Sequence, residues 1–335
     1  MTDSRVRKPA SQEELLFENE ATRFRVADGD IGVLSFKTNM HTIGDLVLES
    51  LNRAVAIAEE QLAGMVLWHP DEPFSAGADL KALMPVALSG LSPGSNALDE
   101  LLVRFQQGCI RMRKSGIPVV AGVHGLAFGG GCELMMQCDR TVAASGSCIG
   151  LVEAGVGLIP AGSGCMELAR RASLNAGDSD LLPFLKRFFE TAAWGKVATS
   201  AGMAREYGFL RENDVIVMNS NEVLHAALAE VRKLNAAGYS PQPGMPIRAG
   251  GREVIAHFSR AMSGMHESGL ISDHDLSVGN EVAKALCGGD VDAGCWLDEE
   301  SYLRCEREGF RRLVATPETQ ARIRYTLDTG KPLRN

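Results

Sequence analysis

Two glutamates and a run of glycines are the residues of this chain best suited to chemistry. The stretch from Ala121 to Gly164 reads AGVHGLAFGGGCELMMQCDRTVAASGSCIGLVEAGVGLIPAGSG. An apolar strand pattern, Val119 to Val123, leads to Gly129-Gly130-Gly131, which opens a helix pattern carrying Glu133. A second strand-like run and a turn follow, and Glu153 appears twenty residues after Glu133, again beside glycines. Three consecutive glycines at a helix start leave backbone N–H groups uncovered, which favours an anion or a developing oxyanion there. A carboxyl on the first turn of that helix, with a second returning nearby, can serve as an acid/base pair. On spacing alone another reading stands beside this one: a glycine-tight strand-to-helix turn with two ordinary surface glutamates.

The elements that must position these residues read as layered α/β. Phe24 to Val26 and Ile31 to Phe36 are strand patterns joined at Asp28-Gly29, a hairpin signal. A helix is expected from Asp45 to about Leu62, a buried strand over Met65 to Trp68, and an amphipathic helix over Leu98 to Lys114. Ile117-Pro118 restarts the chain as strand. Pro85 to Ala97 and the polar Leu174 to Asp180 read as loops. Later helices are expected over 166–172, 184–195, 200–208, 221–236, 252–263, 272–286, 299–314 and 317–327, with a strand at 215–218. The Pro/Gly-rich Tyr239 to Gly251 is the best linker. This gives a polar N-terminal segment (1–20, with a capping-box pattern at Ser11 to Glu14), a core over 21–218 and a helical region over 219–335.

Composition narrows the function classes. The chain has 335 residues, 45% of them apolar, and a net charge of −8, which argues against a nucleic-acid groove. Apolar runs such as Ile117 to Val123 are too short to span a bilayer, and the first twenty residues show no apolar signal core, so a cytoplasmic protein is expected. The eight cysteines have no CxxC spacing and read as core thiols.

The glycine–glutamate stretch resembles the crotonase (enoyl-CoA hydratase/isomerase) superfamily. That family's G-x-A-x-G-G-G-x-E segment is present from Gly125 through Ala127 and Gly129-Gly130-Gly131 to Glu133. A second glutamate, Glu153, follows with Gly157-Leu158-Ile159-Pro160, and an upstream A-G-A-D loop is present as Ala76-Gly77-Ala78-Asp79. The resemblance covers about residues 20 to 215. It is stronger to the hydratase-like C-terminal half of fused bacterial 3-hydroxyacyl-CoA dehydrogenases, in Gly150 to Pro160 and the closing Gly330-Lys-Pro-Leu-Arg-Asn335. One departure is Val152, where the family often has proline.

The resemblance implies a spiral of ββα units in two roughly perpendicular sheets, followed by helices, and a trimer or hexamer. It implies hydration of a 2-enoyl-CoA, with Glu133 activating water and Glu153 giving a proton to C2. The backbone N–H groups of Ala78 and Gly130 would form the oxyanion hole. The loop Phe74, Ala76, Gly77, Asp79, Leu80 would receive coenzyme A, with Lys81 a weaker phosphate contact than a solvated helix lysine. Two carboxyls in a partly dry pocket cannot both ionise easily, so one should hold its proton near neutrality. Coenzyme A enters as part of the substrate; no tightly bound cofactor, metal, nucleic acid or membrane is expected. A 3-hydroxyacyl-CoA dehydrogenase domain or chain is the expected partner, because the sequence has no dinucleotide fingerprint of its own.

Other readings remain at this stage: a double-bond isomerase or thioester hydrolase using the same oxyanion hole, a serine hydrolase built on Ser75 and His124, or a non-catalytic docking module. His124 reads as a packing histidine. His266 and His274 with Asp273 and Asp275 imitate a metal cluster, but their spacing fits a solvated loop better.

Overall fold

Alternation of buried Thr22, Phe24 and Val26 with the outward Arg23 and Arg25 makes a strand with one wet face, and Gly29, at φ 67°, turns it back on itself. The computed structural model describes residues 14–335 other than Pro93 and Pro243. In chain order its first half contains β1 (Leu15–Glu18), β2 (Thr22–Asp28), β3 (Ile31–Phe36), α1 (Asp45–Gln61), β4 (Gly64–Leu67), α2 (Leu80–Ser89), α3 (Ala97–Arg113), β5 (Val119–Val123), β6 (Leu126–Phe128), α4 (Gly130–Met136), β7 (Arg140–Ala144) and β8 (Cys148–Gly150). The second half contains α5 (Gly164–Ala176), α6 (Leu182–Ala193), α7 (Ala201–Tyr207), β9 (Val215–Val217), α8 (Val223–Ala236), β10 (Ile247–Arg248), α9 (Gly251–Glu267), α10 (Asp273–Cys287), β11 (Trp296–Leu297), α11 (Glu299–Val314) and α12 (Pro317–Thr329).

Among the described residues a seven-stranded sheet runs β1-β2-β3-β4-β5-β7-β9, antiparallel to β3 and parallel beyond it. Its central strands are buried on both faces, as parallel strands covered by helices must be. Ile31, Val33, Val66, Val120 and Val142 meet Val223, Ala227 and Val231 of α8. Leu34, Met65, Leu67, Val119 and Ala121 face the main core with α1 and α3. α8 lies so close that a Cβ on Gly64 would stand 2.4 Å from Val231. A second layer pairs β6 with β8 in parallel, and an isolated bridge joins Ser75 to Ala127. The expected spiral of strand and helix units is the fold observed.

Several local expectations are corrected. Ser11 to residue 13 of the expected capping box lie outside the described residues, and beyond Glu14 the N-terminal segment forms β1 and joins the sheet instead of staying a polar leader. The expected Pro85 loop is helical up to Ser89, because Asp79 caps α2 by accepting from Lys81 and Ala82 N–H and so supports a helix with Pro85 inside it. α5 runs through Leu174 to Ala176, ending at Gly177 with φ 52°. The Pro/Gly-rich linker contains β10, which pairs with β11. No described helix is long and apolar enough to cross a membrane.

Candidate active site

Parallel pairing brings the two acids together. β6 and β8 run side by side with Phe128 opposite Gly150, and Gly129 N–H donates to the Gly150 carbonyl at 2.9 Å. Each strand is followed at once by its acid, Glu133 on the first turn of α4 and Glu153 at the start of a single 3-10 turn (Glu153–Val156). On the other side of β6, Ser75 N–H donates to Leu126 and Phe128 N–H to Ser75, which sets the 75–79 loop against the same strand end. Three chain segments therefore finish at one edge, where the side chains and amides of an α/β site belong.

The glycines are fixed by space as much as by conformation. Gly129 has φ 50° and ψ −125°, a combination open to glycine. A Cβ on Gly131 would meet Ser75 Cβ at 2.6 Å, and one on Gly130 would meet the Phe105 ring at 2.6 Å and Ala78 N at 3.3 Å. The N–H groups of Ala78 and Gly130 are thus neighbours, and neither donates a hydrogen bond among the described residues. Gly77, at φ 104°, is needed for this approach, since a Cβ there would stand 2.9 Å from the Phe128 carbonyl.

The two carboxyls sit in different surroundings. Glu133 is buried, and its Oε1 accepts from Gly162 N at 2.8 Å and Gly164 N at 2.7 Å. Burial pushes Glu133 up to about 7, against the pull of those two N–H groups. Glu153 is half-buried as a residue, yet its Oε2 is sealed from solvent and has no hydrogen-bond partner. Burial first, and then the Glu133 charge, hold Glu153 well above the ordinary carboxylate range. With two N–H donors on its oxygen, Glu133 is the member of the pair better placed to carry charge, and Glu153 the one better placed to keep a proton.

The enoyl-CoA hydratase/isomerase family model matches residues 31–178, which include both acids and both free amides. The chain belongs to the enoyl-CoA hydratase/isomerase (crotonase) family. It is 33% identical over 306 residues to a probable 3-hydroxyacyl-CoA dehydrogenase of Bacillus subtilis, covering 91% of this chain and 38% of that protein. It is 27% identical to a putative fatty acid oxidation complex trifunctional enzyme of Rickettsia prowazekii, over 86% of this chain and 36% of that one. The chain thus spans well under half the length of these relatives. Its fold is similar to an enoyl-CoA hydratase/isomerase from Xanthobacter autotrophicus Py2 with a TM-score of 0.59, at 19% identity, covering 92% of this chain and 94% of that one. Relatives at modest identity leave the reaction of this crotonase-family enzyme to be argued from its site.

The remaining expected site residues divide. Ala76, Gly77 and Ala78 form the loop beside Gly130, with Ala76 N–H donating to the Met40 carbonyl. Phe74 is fully buried against the His69 ring, so its side chain is core packing and faces no ligand. Asp79 is occupied in capping α2, Leu80 opens that helix, and Lys81 is exposed on it.

Ser75 is fully buried, its hydroxyl donating to the His41 carbonyl at 2.7 Å and accepting from Gly77 N–H, an arrangement unlike a nucleophile's. His124 Nε2 lies 2.8 Å from the His69 carbonyl, a structural contact. The solvated-loop reading fails for His274, which is buried and bonded to Thr319 Oγ1 at 2.8 Å, while His266 pairs with Asp273.

Two residues at the site lay beyond sequence reasoning. Phe105 of α3 covers both Gly130 and Gly162, where a Cβ would meet its ring at 2.6 and 2.5 Å. Glu306 of α11 is fully buried and reaches the N-terminal turn of α5. Helical periodicity in α11 carried a signal for Glu306, which falls on the same face as Tyr302, Leu303, Phe310 and Leu313.

Proposed function

We propose that this chain is an enoyl-CoA hydratase, adding water syn across the double bond of a 2-trans-enoyl-CoA to give the 3-hydroxyacyl-CoA, as in fatty-acid β-oxidation. The observation that carries the reading is the asymmetry of the acids: Glu133 is steadied by two N–H donors, and Glu153 offers a sealed, partnerless oxygen. Ionised Glu133 takes a proton from water as its oxygen bonds to C3. The π electrons move toward the thioester oxygen, whose growing charge meets the N–H groups of Ala78 and Gly130. The proton of Glu153 then bonds to C2 as the enolate collapses. Glu133 ends protonated and Glu153 ionised, and exchange with solvent restores the pair. Coenzyme A takes part as the substrate's handle.

The product alcohol is the substrate class of an NAD-dependent dehydrogenase, so a dehydrogenase domain or chain is the natural partner. A trimer or hexamer in the cytoplasm belongs to the same reading. The test is incubation with crotonyl-CoA, following loss of the conjugated enone absorbance and identifying the product by mass. Formation of 3-hydroxybutyryl-CoA is the expected result; a moved double bond, free coenzyme A or no turnover overturns the reading.

Gly130→Val gives a second check. Its side chain would press on Phe105 and stand over the Ala78 N–H, 3.3 Å from the Cβ position. Hydration is expected to fall by about 10²–10³-fold, the scale of losing one oxyanion donor. Steady-state kinetics that stay near wild type in a folded G130V protein would remove Gly130 from the oxyanion hole.

A further inference from the structure

Glu306 sits beside the acid pair, and the proposed chemistry leaves it unused. Every contact it makes is with a donor: Oε2 accepts from Ser163 N and Gln106 Nε2, each at 3.0 Å, and Oε1 from Met166 N at 2.8 Å. Glu133 takes the interleaved amides of the same turn, Gly162 and Gly164. Two acids from two different helices thus share the opening turn of α5. Through these donors Glu306 holds the turn with both carboxyl oxygens at once. The neighbouring C-terminal helix does the same for the other acid: Thr319 Oγ1 of α12 donates to the Gly157 carbonyl at 2.7 Å, at the end of the Glu153 turn.

We propose that Glu306 is a positioning residue for the Glu133/Glu153 pair, pinning the 161–166 turn whose other amides hold Glu133. Its kinetic consequence rests on the hydratase reading; its structural consequence does not. The groups facing Glu133 and Glu306 from the packed elements are Glu153, Cys109 of α3, Cys132 of α4 and Cys165 of α5. Arg307 reaches Gln106, and Arg113 reaches Ser163 through Gln137. Burial pushes the three thiols up, so they stay neutral beside the carboxyls. Burial and the Glu133 charge also push Glu306 up, opposed by its donors from Met166, Gln106 and Ser163.

Glu306→Gln keeps the size and turns an NH2 group toward the donors of the turn, which loosens the clamp. The test is a carboxyl 13C NMR titration of Glu133 in the free protein, wild type against E306Q, with the pH profile of crotonyl-CoA hydration beside it. Glu133, at about 7 in the wild type, is expected to titrate about one pH unit higher in E306Q, because the loosened Gly162 and Gly164 amides pull it down less. The acidic limb of kcat/KM should move with it, while kcat falls about tenfold and KM changes little. An unmoved Glu133 titration in folded E306Q overturns the proposal, as does a uniform activity loss without movement of the limb, the mark of a merely structural residue. If the wild type does not hydrate crotonyl-CoA and the titration still moves, the hydratase reading fails and the coupling stands. If E306Q does not fold, Glu306→Asp carries the test: it keeps the carboxyl and shortens the reach. Hydrogen-exchange protection of the Gly162 and Gly164 amides should then drop about tenfold, and unchanged protection overturns the clamp.

Discussion

Glu133→Gln is expected to lose hydration by about 10²–10⁴-fold and, at the same time, to make the protein more stable above neutral pH. The first effect follows from removing the base. The second follows from the raised titration of Glu133, about 7 against an ordinary 4.5. An acid raised in this way adds stability, relative to its ionised form, that is fully present below the unfolded-state value and is lost as pH rises through the folded value. At pH 8 the folded protein must carry a buried charge that the unfolded chain carries in water. The difference is worth up to about 3 kcal/mol, the value of some two and a half pH units.

Glutamine keeps the oxygen that Gly162 and Gly164 need and has no charge to bury. Urea unfolding at pH 8 should therefore favour E133Q, and the advantage should vanish by about pH 4.5, where Glu133 is protonated in both states. Glu153→Gln should lose activity on the same scale and should likewise gain stability above the unfolded-state value, because burial raises Glu153 as it raises Glu133. Near-normal turnover in both variants would sink the hydratase mechanism. Loss of turnover with loss of fold would leave E133Q less stable than wild type at pH 8, the opposite of the expected sign.

Glu167→Ala should have the largest effect on stability, about 3–5 kcal/mol at pH 7. Glu167 is fully buried and accepts from Arg170 Nε at 2.7 Å and Nη2 at 2.8 Å and from Arg171 Nε at 2.7 Å. Both arginines are themselves buried, so the variant would leave two cations without their anion. Arg171 further ties the end of α4 to the end of α7 through the carbonyls of Met136, Gly208 and Phe209. Burial alone would raise Glu167, but Arg170 and then Arg171 overcome it and hold the carboxyl far below its usual range. A depressed acid contributes stability that is present above the unfolded-state value and lost as pH falls through the folded one. Urea unfolding should show the full gap between wild type and E167A at pH 7 and a shrinking gap below about pH 4. A gap under about 1 kcal/mol at pH 7 would mean that the arginines find other partners.

Much of the site was legible because it is built from short segments next to strand ends. Glu133 follows β6 and Glu153 follows β8, so two motifs twenty residues apart could be read as one edge once the strands were paired in parallel. The spacing alone left surface glutamates as an alternative; burial of Glu133 and the sealed oxygen of Glu153 removed it. Helices with strong caps were equally legible: Ser272 caps α10 in a reciprocal box with Asp275, and Asp298 caps α11. Misreadings fell where tertiary contact overrides local pattern. Pro85 looked like a loop residue and lies in a helix, and His274 looked solvated and is held under α12 by Thr319.

The sequence by itself determined most of the strands and helices and the two glutamates beside glycines, because periodicity, caps and glycine punctuation act over a few residues; the amide pair of Ala78 and Gly130 came from the family resemblance. Only the tertiary structure decided what surrounds them. Phe105 roofs Gly130 from α3, Glu306 reaches the α5 turn from α11, and Thr319 braces the end of the Glu153 turn from α12. These contacts join residues from 25 to more than 100 positions apart, and burial by such distant partners leaves no periodic trace in the chain. Burial of this kind raises both glutamates, and the Gly162 and Gly164 amides that reach Glu133 make the two unequal.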